Sequence, residues 1–192
     1  MSNKQILWSD FAPRQFARAA QSPGDWFGTA QMLMSAADIV KGNVAVQLML
    51  SGFAFENIIK AIMVARGLPA VAAGRLTGRY LGAHKLASLA GNIGPVTADE
   101  KIMLDWLSTF ARWAGRYPIP LTEGELIESL WQIEWQVTAR AWWERRVDEI
   151  FAAGWILLPD GTRSGPPMPV WRRSEVVRFP SVEIGPRRHA ER

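Results

Sequence analysis

Apolar residues recur at three- and four-residue spacing through most of the first 153 positions, a pattern that predicts helices and very little strand. A short helix is expected around Pro13 to Ala20, because proline is tolerated in a first turn and Phe11, Phe16 and Ala20 supply one apolar side. After Ser22-Pro23-Gly24, Asp25 is placed to cap a helix running from Trp26 to about Val40, with Leu33, Ala37 and Val40 on one face. The segment from Val44 to Gly67 is apolar nearly all the way round. Leu48, Phe55, Ile59 and Ile62 lie on one side and Met49, Phe53 and Met63 on another, which predicts a helix at the centre of a bundle. Gly67 suits a left-handed position at its end and Pro69 prevents continuation, so 67–82 is expected to be loop.

A brief helix is expected from Ala83 to the Gly91-Asn92-Ile93-Gly94 stop. Thr97 and Glu100 then have the spacing of a capping box, in which hydroxyl and carboxylate each bond a backbone amide that would otherwise lack a partner. The helix they open carries Met103, Trp106, Leu107, Phe110, Trp113 and Ala114 on one face and halts before Pro118. Thr122 and Glu125 repeat the spacing and open a helix to Ala153, with Leu130, Val137, Ala141 and Phe151 among its buried positions. Beyond it, prolines and glycines forbid regular helix. The expected fold is all-α: an up-and-down helical bundle of four to five main helices over 9–153, followed by an irregular, basic, Pro/Arg-rich C-terminal tail over 154–192 with at most one small hairpin.

With 192 residues, 48% of them hydrophobic, the chain can bury one sizeable core. The absence of cysteine excludes disulfides, a thiolate nucleophile and cysteine-ligated zinc. The opening MSNKQILWSD lacks the layout of a signal peptide, and no stretch of roughly eighteen uninterrupted apolar residues occurs, so a cytoplasmic location without membrane insertion is expected. Residues 1–162 hold 15 Lys/Arg against 15 Asp/Glu, whereas 163–192 hold 7 Arg against 3 Glu, so the whole excess charge of +4 lies in the tail. Such a tail either attracts phosphates or merely solubilises the terminus. Most of the ten tryptophans sit in helical segments, where they serve as core and helix contacts or mark a self-association surface.

Two charges interrupt the apolar central helix. Glu56 and Lys60, four apart, share one face and need partners: each other, or a polar pocket. His84, near the start of the short helix, and Arg116-Tyr117, at the end of the capping-box helix, stand at element termini from which side chains can line such a pocket. In the tail, Arg172 and Arg173 beside Trp171, and Arg187 and Arg188 beside His189, combine cations with one stacking surface and are candidates for nucleic-acid contact. Two histidines are too few for ordinary zinc spacing, and no phosphate-binding glycine loop is present, so neither a metal nor another cofactor is expected.

The run GFAFENIIKAIMVARG, followed by GAHKLASLA and later by WAGRYPIP, resembles the HEPN superfamily of small bacterial helical proteins. Phe53, Glu56 and Lys60 match its aromatic-x-x-Glu-x-x-x-Lys pattern, and His84, Leu86 and Leu89 match its His-x-Leu-x-x-Leu segment, the similarity spanning residues 26–150. The resemblance implies a helical bundle that forms a homodimer and serves toxin-antitoxin or phage-defence systems, with RNA or a nucleotide as ligand and a cognate antitoxin or nucleotidyltransferase as partner. It also implies metal-independent ribonuclease chemistry from an arginine followed roughly four to six positions later by a histidine, the first holding charge on phosphorus and the second moving protons. This chain departs from that pattern, since neither Arg112 nor Arg116 is followed by a histidine at that distance. Either catalysis is absent or His84 and Arg116 meet in space, with Glu56, Lys60 and Tyr117 contacting substrate; a non-enzymatic, antitoxin-like interaction protein is the alternative. If the tail contacts phosphates, a chain ending at residue 162 binds RNA more weakly and with a flatter salt dependence in filter binding, whereas unchanged affinity assigns binding to the bundle.

Overall fold

The computed structural model describes residues 15–40, 43–80, 84–114 and 134–153, and its helices start and stop where local backbone chemistry allows. Residues 15–20 form α1. Helix α2 spans Pro23–Ile39, with the Ser22 hydroxyl accepting a hydrogen bond from the Asp25 amide and Pro23 in the first turn, where its missing N–H costs nothing. The cap is therefore Ser22, not Asp25, and the helix begins at Pro23 rather than Trp26. The chain turns at Gln21–Ser22, and proline's preset φ already belongs to the helix.

Helix α3 spans Val44–Ala65, capped by the Asn43 side chain, which accepts from the Val46 amide. It ends at Gly67, whose φ of 77° is open to glycine, while the Leu68 amide donates back to the Met63 carbonyl. The following stretch holds more order than the expected loop. Strands β1 (Val71–Ala72) and β2 (Arg75–Leu76) pair antiparallel with Val71 opposite Leu76, and Ala73 and Gly74 both have positive φ, as a tight two-residue hairpin requires. Two residues per strand are too few to show alternation in sequence. A 3-10 turn at Gly78–Tyr80 buries Tyr80, whose hydroxyl donates to the Leu68 carbonyl at 2.9 Å; burial pushes the phenol up to about 12.

Helix α4 spans Leu86–Ala90, a later start than the expected Ala83, because His84 has a φ of 60° and cannot belong to a right-handed helix. Helix α5 spans Ala98–Thr109 and has the expected capping box, with both Thr97–Glu100 bonds formed. It continues into a π turn at Phe110–Ala114. Helix α6 spans Glu134–Ala153. Residues 115–133, with the second expected capping box and Leu130, lie outside the described residues, as do the side chain of Phe151 and the tail. Val137 is 73% exposed and Ala141 is also exposed, which corrects their expected burial. The face that α6 buries instead carries Trp142 and Trp143, with Ala139, Val147 and Ile150.

The described residues form an all-α helical bundle with α3 as its hub, packed against α2, α4, α5, the π turn and α6. Phe55 stacks on both Trp142 and Trp143, at ring separations of 4.9 and 5.5 Å. By length and composition the 22 residues of α3 could cross a membrane, but here the surrounding helices bury most of it, as they would any core helix. Charged ties hold the periphery: Arg66 bonds the Ile93 carbonyl and Glu149, Arg146 bonds Glu149, and Arg145 bonds Glu100.

Close approach of α3 to α5 depends on Gly52, where an added Cβ would meet both the Leu107 carbonyl and the Ala111 Cβ at 3.0 Å. Backbone atoms cannot swing aside as a flexible side chain can. Gly52→Ala should therefore lower stability by about 1–3 kcal/mol in denaturant unfolding, despite alanine's higher helix propensity.

Candidate functional site

Because α3 is covered on most sides, the charged side chains at its centre need their partners inside the protein. Glu56 and Lys60 are each only 8% exposed. Lys60 Nζ donates to Glu56 Oε1 at 2.6 Å, the contact that four-residue helical spacing makes available. The second carboxylate oxygen, Oε2, lies 2.6 Å from His84 Nδ1. Both oxygens are thus engaged by separate groups.

Two aromatic side chains complete the arrangement. Lys60 Nζ stands 5.1 Å from the centroid of the Trp26 ring, where the π face attracts a cation and shields it from water. The Trp26 indole N–H donates to the Ala20 carbonyl at 2.9 Å, which fixes the ring between α1 and α2. Phe53, one helical turn from Glu56 on α3, meets the His84 ring edge-on at 5.2 Å. His84 is held by Glu56 and Phe53 in a left-handed backbone conformation that non-glycine residues seldom adopt and that is common at functional sites. Its side chain is 34% exposed, so a ligand can reach a histidine whose other ring nitrogen faces a buried carboxylate.

Burial alone would push the Glu56 carboxyl up, but the hydrogen bonds and charges of Lys60 and His84 outweigh it and hold the group below the usual carboxylate range. Glu56 is therefore ionised in the folded protein at neutral pH. Chemically, an ionised carboxylate on Nδ1 favours the tautomer that carries its proton there and leaves Nε2 to accept a proton or to hydrogen-bond a ligand.

Of the residues that the sequence singles out, Glu56, Lys60 and His84 are brought together directly. Arg116 and Tyr117 lie outside the described residues, as do Arg172, Arg173, Arg187 and Arg188 in the tail. Trp26 was not legible as part of this centre, since a tryptophan at a helix start reads as core and nothing near it points to a lysine on the next helix. Among the described residues no cluster of three or more His, Asp or Glu side chains is placed to hold a metal ion.

The lowered Glu56 value gives a stability contribution that is complete above about pH 4.5, its ordinary value, and is lost as the pH falls through the lower native value. Melting temperature should therefore fall more steeply on acidification for wild type than for Glu56→Gln, which keeps the shape and removes the charge. Equal acid slopes would contradict the network. Comparison with protein-family models, curated proteins and solved structures returns no match for this chain, which leaves the geometry of Glu56, Lys60 and His84 as the ground for a functional reading.

Proposed function

We propose that this chain is a HEPN-like RNA- or nucleotide-binding protein of a bacterial defence or toxin-antitoxin system, working at the polar centre built on Glu56, Lys60 and His84. The observation that carries the proposal is the pairing of a buried, ionised carboxylate with a partly exposed histidine 2.6 Å away. An imidazole oriented by a carboxylate is suited to take a proton from a ribose hydroxyl and return it to a leaving oxygen. In this reading His84 is the proton carrier, and Arg116, with Tyr117 beside it, supplies the clamp for the phosphate charge. Such chemistry would be an atypical, metal-independent ribonuclease, because the usual arginine-to-histidine spacing is missing from the sequence.

A second reading rests on a different observation: Glu56 already has both oxygens occupied, by Lys60 and His84, as an ion network that merely fastens residue 84 to α3 would require. The chain is then a non-enzymatic, antitoxin-like or scaffold protein.

The two separate in one experiment on single-stranded RNA and tRNA with wild type, His84→Ala and Arg116→Ala, melting temperatures being recorded on the same samples. The ribonuclease reading expects cleavage by wild type that both variants lose at unchanged melting. The structural reading expects no cleavage by wild type and lowered melting in His84→Ala, together with a loss of about 3 kcal/mol or more in Lys60→Ala, which strips a buried carboxylate of one partner. Cleavage retained by both His84→Ala and Arg116→Ala removes the assignment of those two residues.

A further inference from the structure

An open groove of about 620 Å³ lies between α4, the Gly94–Val96 segment, α5 and the π turn. That volume falls within the range of small-molecule sites and suits a ligand of nucleotide size. We propose that this groove binds a small phosphate ester. It shares a phosphate-bearing ligand with the function proposed above but does not rest on His84, because none of Glu56, Lys60 and His84 lines it.

Charge is the first argument. Among the described residues, Lys85, Lys101 and Arg112 line the groove from three different elements and Asp105 is the one carboxylate beside them, so the described lining is predominantly basic. Asp105 is engaged by Lys101 at 2.9 Å on the exposed face of α5. Lys85 is exposed and makes no ion pair with the described residues, so its ammonium is available to an incoming anion.

Shape is the second. Cβ atoms added at Gly91 or Gly94 would meet nothing within 4 Å, so the two glycines leave that wall bare. Gly94 has a φ of 139°, which a side chain would strain, so the bare wall is also a backbone requirement. Ala87, Pro95 and Val96 add an apolar surface for the organic part of a ligand. Ser108 forms part of the lining and is already committed, its hydroxyl accepting from the Leu86 amide at 2.9 Å and donating to the Leu104 carbonyl at 2.7 Å. Its role is to hold the start of α4 on α5, fixing the spacing of Lys85 from the lysine and arginine opposite.

The test is titration calorimetry of the full chain with AMP, ribose 5-phosphate and adenosine. Saturable one-to-one binding of AMP is expected, weakened about tenfold or more by Lys85→Glu and again by Lys101→Glu at unchanged melting, and blocked by Ser88→Trp, which fills the groove from an exposed position. AMP binding tighter than ribose 5-phosphate places a nucleotide there, and equal affinity places a sugar phosphate; either supports the proposal. Adenosine binding as tightly as AMP, no saturable AMP binding at millimolar concentration, or full affinity in both charge-reversed variants overturns it. A failure of the groove is read from AMP binding by the Lys85, Lys101 and Ser88 variants and a failure of the ribonuclease assignment from RNA cleavage by wild type and His84→Ala, so the two are told apart by different variants and different readouts.

Discussion

The Glu56 carboxylate sits on a helix whose surface is almost wholly covered, where an uncompensated charge would cost several kcal/mol. Much of the surrounding architecture follows from neutralising it in place. Lys60 is one turn away and supplies the first partner, but an ammonium buried beside it has its own solvation to replace, and the Trp26 face provides that from α2. The second oxygen draws His84 in from outside the helices. That contact accompanies the left-handed conformation at residue 84, and with it the late start of α4 at Leu86.

Four neighbouring positions on α3 meet three different parts of the molecule. Gly52 admits the end of α5 and the π turn, Phe53 meets His84, Phe55 receives Trp142 and Trp143 of α6, and Glu56 bonds Lys60 and His84. A little over one helical turn therefore sets both the packing of the core and the geometry of the polar centre. This dual duty explains why the helix is apolar nearly all round yet carries a charged pair, a local inconsistency of the kind that marks a functional or specificity-determining position.

How much of this was legible in the sequence depends on whether the signal was local. The capping box at Thr97 and Glu100, the glycine end of α3 and its central place were readable, because each rests on spacing within one segment. The pairing of Glu56 with Lys60 was readable for the same reason. That His84 would complete the carboxylate was suggested by its place at an element terminus and by the need of a buried charge for partners, not by any local spacing. The errors came where a choice between near-equivalent local options was settled by contacts from elsewhere. Ser22 displaced Asp25 as a cap because of where the chain turns, and α6 buried the side carrying Trp142 and Trp143 because Phe55 was there to receive them, leaving Val137 and Ala141 outside. The groove was invisible in sequence, since Lys85, Lys101 and Arg112 form no motif until α4 and α5 are packed together.

The short stretch 84–86 links the two features. Its first residue is clamped to α3 through Glu56 and its last is clamped to α5 through Ser108, so the backbone between them is fixed from both sides before any ligand arrives. Lys85, between the clamps, presents its side chain to the groove while its neighbour presents an imidazole to the polar centre. Residues ordered in advance do not charge a ligand for their ordering, and binding energy that would be spent on immobilising a loop remains available for affinity or for positioning. The strained conformation of His84 is then intelligible as the cost of that preorganisation, met within the fold by the two bonds to the carboxylate that α3 had to neutralise in any case.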